Sequence, residues 1–302
     1  MKKIQKTTAF LLCIITLISV FTLPINADMG PKPSVRVNLE NMPDVKCYGT
    51  LLSKNSSTGP QSAWDGNDDH IYNYDLDIEI WRKFAEYKDA DGYYFLQIAW
   101  EVTKTNQIAW TYYPPQSFKI LLYFPESDTF AVSGIYERYA FDTYYTVDMD
   151  GVNIGSVNLD EAQSTNERIE AYRSYQWRQE MLSLFTRILI TIAIEMAVAI
   201  MFGFRNRNQL ITLIVINSVT QIVLNLLLNI INYNSGQYAF IFWYVVFELI
   251  VFALEAVIYC RILKKFSKKP KRNGFYYGYA FVANAVSFVA GLHLAYIIPG
   301  IF

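Results

Sequence analysis

Three glutamates, Glu195, Glu248 and Glu255, lie inside long apolar runs and are the only acidic residues after Leu182. A carboxyl group in such surroundings can bind a proton or a small cation, or it can hydrogen bond helix to helix. Leaving it against lipid costs about 2.5–3.5 kcal/mol even on a lenient insertion scale. Amides accompany it. Asn217, Gln221 and Asn225 are spaced by four and share one helix face, and Glu248 and Glu255 are seven apart and share another. Asn284 joins Ala280, Ser287 and Gly291 in a small polar face that permits close helix approach. At a rise of ~1.5 Å per residue, Glu195, Gln221 and Glu248 fall near the middles of their runs, and Asn284 within about 4 Å of the middle of its own. Glu195, Asn217, Gln221, Asn225, Glu248, Glu255 and Asn284 therefore make up the candidate site, an intramembrane polar cluster facing a bundle interior. Arg187 lies about 10 Å outward of that depth on the same rise and is expected to snorkel. A protonated carboxyl can donate to the carbonyl oxygens of Asn and Gln, which would complete such a layer.

Elsewhere the chemistry is thin. Asp65-Gly66-Asn67-Asp68-Asp69-His70 gathers oxygen ligands, and Asp89-Ala90-Asp91-Gly92 and Asp148-Met149-Asp150-Gly151 repeat an Asp-x-Asp-Gly pattern. None fits the twelve-residue calcium loop, because His70 stands where Gly is needed and Leu76 where Glu is needed. Asp-Gly reads better as a turn, so no metal and no cofactor are expected. Gly-x-Ser-x-Gly, His-Glu-x-x-His, phosphate-loop and paired-cysteine motifs do not occur. An enzyme is not expected; a glycan-cutting pair of carboxylates in the exported part is the one enzymatic alternative. Trp64, Trp81, Trp100 and Trp110 could stack on cell-wall sugars, but their positions favour core packing.

The elements that hold these residues divide the chain in two. Between Asp28 and Glu180 there are 24 acidic residues against 13 basic ones, a surplus of 11 negative charges. After Leu182 there are 10 basic residues and three acids. Four spans are expected, at about 183–204, 210–231, 239–260 and 275–298, each near the ~20 residues that a hydrocarbon core requires. Arg205 and Arg207 mark the first loop, the second is uncharged, and the third holds Arg261, Lys264, Lys265, Lys268, Lys269, Lys271 and Arg272. Lys2, Lys3 and Lys6 followed by the apolar run 9–23 read as a signal peptide, residues 1–27. The positive-inside rule then puts the N-terminal domain and the C-terminus outside the cell. Trp177, Tyr238 and Trp243 are expected at the outer interface, and Tyr259, Tyr276 and Tyr277 at the inner one. Cys13, Cys47 and Cys260 cannot pair in the mature chain, since Cys47 and Cys260 fall on opposite sides.

Residues 28–158 read as a β-rich, antiparallel, sandwich-like extracytoplasmic domain. Period-two alternation marks 35–39, 45–52, 94–102, 118–124 and 141–149, and Pro125-Glu126-Ser127-Asp128 reads as a hairpin turn into 129–136. One short helix is expected at 76–86. Residues 159–182, polar and without turn residues, are expected to form a juxtamembrane helix leading into the four-helix transmembrane domain, 183–302.

The stretches Asp28-Met29-Gly30-Pro31-Lys32-Pro33-Ser34, Ser57-Thr58-Gly59-Pro60, Phe118-Lys119-Ile120-Leu121-Leu122-Tyr123-Phe124-Pro125 and Arg138-Tyr139-Ala140-Phe141-Asp142 resemble an uncharacterised family of membrane proteins from Gram-positive-type bacteria. The third span and Ala283-Asn284-Ala285-Val286-Ser287-Phe288 resemble the same family. The resemblance implies an exported domain, four C-terminal helices and a cell-surface location, and it transfers no activity. The expected partners are the lipid bilayer, a membrane protein or a second copy of the chain, and a cell-wall or surface ligand. Nucleic acid is excluded by location and negative charge. The expected function is a non-enzymatic envelope protein; a small transporter or channel component using the buried carboxylates is the alternative.

Overall fold

The computed structural model describes residues 32–72, 76–152, 167–175, 177–267 and 269–297. The expected signal peptide, the mature start at 28–31 and Lys268 lie outside these residues.

The N-terminal region is β-rich. Its strands are β1 (Ser34–Glu40), β2 (Tyr48–Ser53), β3 (Ser57–Thr58), β4 (Gln61–Ser62), β5 (Trp100–Glu101), β6 (Gln107–Trp110), β7 (Ser117–Phe124), β8 (Thr129–Ser133), β9 (Tyr136–Glu137), β10 (Asp142–Asp148), β11 (Glu167–Ile169) and β12 (Ala171–Arg173). One sheet runs β12-β10-β1-β6, a second β11-β8-β7-β2-β5 with β9 also paired to β7, and β3 and β4 form a two-stranded sheet of their own. The two larger sheets are mixed, which corrects the antiparallel expectation. β1 pairs parallel to β10, Ser34 opposite Asp142 through Glu40 opposite Asp148, and β8 pairs parallel to β11. Alternation specifies which side chains point inward but not strand direction; only the turn at 125–128 declared itself, and β7 and β8 do form that hairpin.

β7 explains how one domain has two cores. Its Phe118, Ile120, Leu122 and Phe124 pack with Val35, Val37, Tyr145 and Val147 between the sheets. Its Leu121 and Tyr123 point the other way, onto Trp81 and Phe84 of α1 (Ile78–Glu86). Asp77 caps that helix, its side chain accepting from the Glu79 N–H at 2.8 Å.

Two expected elements differ. The run 94–102 is not a continuous strand: Gln97 has φ of 62°, and only Trp100–Glu101 pairs as β5. The Gln97 side chain is buried and accepts from the Tyr72 N–H while donating to the Ser62 carbonyl, so it ties a bend in place. The juxtamembrane helix is also corrected. β11 and β12 occupy 167–173, Ile169 enters the inter-sheet core, and helix begins only at Trp177. Burial of Ile169 and the free edges of β8 and β10 outweigh the weak helical pattern.

The C-terminal region is helical: α2 (Trp177–Met201), α3 (Arg207–Lys265) and α4 (Asn273–Ile297), each packed on the other two. Two of them, α2 and α3, are long and apolar enough to cross a membrane, with mean hydropathy of 2.0 and 2.3. Thus among the described residues two such helices stand where four spans are expected, and the middle two expected spans share α3. A straight helix of 59 residues would be about 88 Å long. α3 instead doubles back at Gly236, whose φ of 78° and ψ of −180° are open only to glycine. Gln209 donates to the Leu263 carbonyl and Tyr259 to Asn217, so its two limbs run antiparallel. The turn touches the β-rich region: the Phe141 N–H donates to the Tyr233 carbonyl at 2.9 Å. A Cβ on Gly236 would stand 2.5 Å from the Phe141 ring.

Candidate functional site

All seven candidate residues are buried: Glu195, Asn217 and Glu255 at 0% exposure, Asn284 at 1%, Asn225 at 2%, Gln221 at 4% and Glu248 at 9%. Their periodicity explains this. On the second limb of α3, Tyr244, Glu248, Val251, Glu255 and Tyr259 recur every three or four residues and form its inner face. The first limb turns Leu213, Asn217, Gln221, Leu224, Asn225 and Leu228 towards them.

The cluster divides into two tiers. In the deeper tier Glu255 takes a hydrogen bond at each oxygen, from Thr220 Oγ1 at 2.6 Å and from Asn284 Nδ2 at 2.9 Å. Tyr259 Oη donates to Asn217 Oδ1 at 2.8 Å. Ser287 Oγ stands 3.5 Å from Glu195 Oε1. Thr220 has one hydrogen and three acceptors in range, Glu255 and the carbonyls of Ile216 and Asn217. If Glu255 is protonated, Thr220 can therefore give its hydrogen to the backbone and accept from the carboxyl. Glu195 lies within electrostatic reach of Glu255, Glu248 and the Asn217 amide. Yet Glu195 Oε2 and Asn217 Nδ2 are both buried without a hydrogen-bond partner.

The outer tier belongs to Glu248, which lies against Gln221 and Tyr244. It borders a small pocket of about 10 Å³ with Arg187, Thr191, Gln221, Asn225, Tyr244 and Ser287. A larger cavity of about 260 Å³ opens where the β-rich region meets the helices, between Asp142 and Tyr144, Tyr175, Glu180, Arg187, Asn232 and Tyr233. Here Tyr175 Oη donates to Glu180 at 2.5 Å. Burial raises the Tyr175 pKa and the Glu180 carboxylate adds to the rise. Burial likewise raises Tyr144, with Asp142 adding to it.

Sequence reasoning missed Arg187, Tyr244, Tyr259 and Thr220. Arg187 does not reach away from the cluster. It is 7% exposed, its guanidinium lies 5.7 Å from the centre of the Phe240 ring, and it lines both cavities. Of the aromatic residues expected at the interfaces, Tyr259 and Tyr276 are packed inside the protein at 0% and 1% exposure, whereas Trp177, Tyr238, Trp243 and Tyr277 are exposed. The signal was available in the spacing: Tyr244 precedes Glu248 by four residues and Tyr259 follows Glu255 by four.

The acidic turns of the β-rich region hold no group of three or more metal-ligating residues among the described residues. Asp89 and Asp91 embrace the Lys119 ammonium at 2.7 and 2.5 Å. Asp65 faces His70 Nδ1 at 2.8 Å. Trp81 and Trp110 are core residues. Cys47 and Cys260 are free thiols, both buried.

Comparison with known protein families, with curated proteins and with solved structures gives no match.

Proposed function

We propose that the chain is a non-enzymatic, multi-pass envelope protein with four spans: α2, the two limbs of α3, and α4. One observation carries this reading. The helical region buries a layer of carboxyl and amide groups while its outer faces are apolar, the reverse of what a water-soluble fold exposes and buries. Leu189, Val219, Leu254, Phe281 and Val289 are each more than half exposed, while Glu195, Asn217 and Glu255 are fully buried. Every one of the four segments carries such an apolar outer face. The basic loops support the orientation. Asn206 donates to the Phe266 carbonyl, so the Arg205 and Lys264–Arg272 loops share one end of the bundle, while Gly236 and the β-rich region lie at the other. On the positive-inside rule the β-rich domain faces outward. There it binds a surface ligand or partner, and the helices dock a membrane protein or a second copy. Protease added to protoplasts is expected to cut within residues 32–173 and spare 261–272; the opposite pattern would sink the reading. Mild detergent extraction followed by identification of co-purifying membrane proteins then names the partner.

The alternative, a transporter or channel component, is favoured by the unsatisfied pair Glu195 Oε2 and Asn217 Nδ2. It predicts pH-dependent ion flux in sealed vesicles over about pH 5–8 that Glu248→Gln abolishes.

A further inference from the structure

The two cavities lie in series. The larger one opens at the β-rich end of the helices, and Arg187 lines both it and the small pocket at Glu248. Ser287 borders that pocket and also stands 3.5 Å from Glu195 Oε1. Polar groups therefore continue from the outer cavity to Glu195. Past that point the interior is filled by Phe204, Tyr259, Leu263, Tyr276 and Tyr279, each under 5% exposed.

We propose that Glu248 is a proton-exchange site reached from the β-rich side past Arg187 and closed towards the basic-loop end. This rests on the four-span reading and supplies the ion of the transporter alternative. The ligand is a proton for two reasons. A pocket of about 10 Å³ is near the limit for a single water, with no room for a hydrated metal cation. Protons need no empty volume, since they pass between water and side-chain oxygens. In the step itself, a water-borne proton leaves its oxygen and bonds to a Glu248 carboxylate oxygen, which becomes neutral; no electrons are transferred. The charged and titratable groups facing Glu248 are Arg187 and Glu195 from α2, and Tyr244 and Glu255 from its own limb. The first limb of α3 faces it with Gln221 and Asn225, and α4 with Ser287 and Gly291, none of which titrates. Glu195, with Oε2 unpartnered, is the next acceptor inward.

The test uses the full chain in sealed phosphatidylcholine vesicles, oriented with the β-rich domain outward. The external pH is stepped from about 8 to about 5 with the lumen buffered, and the carboxyl stretching band is followed by infrared difference spectroscopy. The external step should give a protonated-carboxyl band, beyond the signal of the exported domain's own acids, that is absent from the spectrum of Glu248→Gln. A bulky maleimide on Asn232→Cys, at the wall of the outer cavity, should slow its appearance roughly tenfold by blocking access. No such band after the external step, a band only after a lumenal step, or identical difference spectra for the native chain and Glu248→Gln would overturn the proposal. The four-span reading fails separately, if an impermeant amine reagent added outside modifies Lys264, Lys265 or Lys269.

Discussion

The β-rich region and the helical region each bury charge, and they neutralise it in different ways. In the first, the Lys119 side chain is 5% exposed and the Asp89 side chain 1%, and opposite charges meet directly, with Asp91 as a second partner. Burial works against the Lys119 ammonium, but the hydrogen bonds and charges of Asp89 and Asp91 outweigh it and hold its pKa above the ordinary value. In the second, Glu255 is satisfied by the neutral donors Thr220 and Asn284, and further carboxylates are its neighbours. An ion pair is committed to both charges. A carboxyl among hydroxyls and amides can lose or keep its proton and still find partners, because those groups donate and accept.

Removing one partner should therefore have unequal consequences. Lys119→Met strands Asp89 as a buried charge and should cost about 3–5 kcal/mol, read from denaturant unfolding followed by tryptophan fluorescence. Gly236→Ala comes next, at about 1–3 kcal/mol, since its backbone conformation excludes other residues and its Cβ would meet Phe141. Adding Phe141→Ala should recover part of that loss, the clash but not the backbone strain, as measured by thermal melting in detergent. Glu255→Gln should cost less than about 1 kcal/mol. Its amide can accept from Asn284 and donate to Thr220, which still has backbone carbonyls to donate to. A loss as large as that of Lys119→Met would mean that Glu255 is an obligatory anion, and the contrast between the two regions would collapse.

The smallest effect sharpens the contrast through pH. Burial pushes the Cys47 thiol from 9.0 up to about 12. The unfolded thiol ionises first, so its contribution to stability is complete below pH 9.0 and declines as pH climbs towards about 12. Lys119 has the same sign: its contribution is complete below 10.5 and is lost as pH rises through its raised folded value. Cys47→Ala should flatten the alkaline limb of the stability curve from pH 9.0 upward. The intact folded protein should leave Cys47 unalkylated by iodoacetamide at about pH 8 until denaturant is added.

Much of this was legible in the residues themselves. Burial of Glu195, Asn217 and Glu255 followed from the cost of exposing them to lipid, β1, β7 and β10 followed from alternation, and β8 from the turn at 125–128. Gln97 shows the opposite case: the strand pattern around it is clean, yet its side chain bonds to Tyr72 and Ser62, residues far away in the chain, and the strand breaks there. Arg187 was misjudged for a related reason. Its length allows it to reach either way along a helix, and only Phe240 and the pocket beneath decide the direction.

Sequence by itself determined the inward faces of β1, β7 and β10 and the burial of the carboxyl and amide cluster, because hydrophobic periodicity and the cost of exposed charge act locally on each element. It also determined the charge division between the two halves of the chain. Tertiary structure alone decided that β1 lies parallel to β10, that Lys119 fills the Asp89–Asp91 turn, and that Arg187 borders both the outer cavity and the pocket at Glu248. Each of these is a meeting of segments distant in the chain. The free energy of such a meeting depends on geometry that no single segment carries.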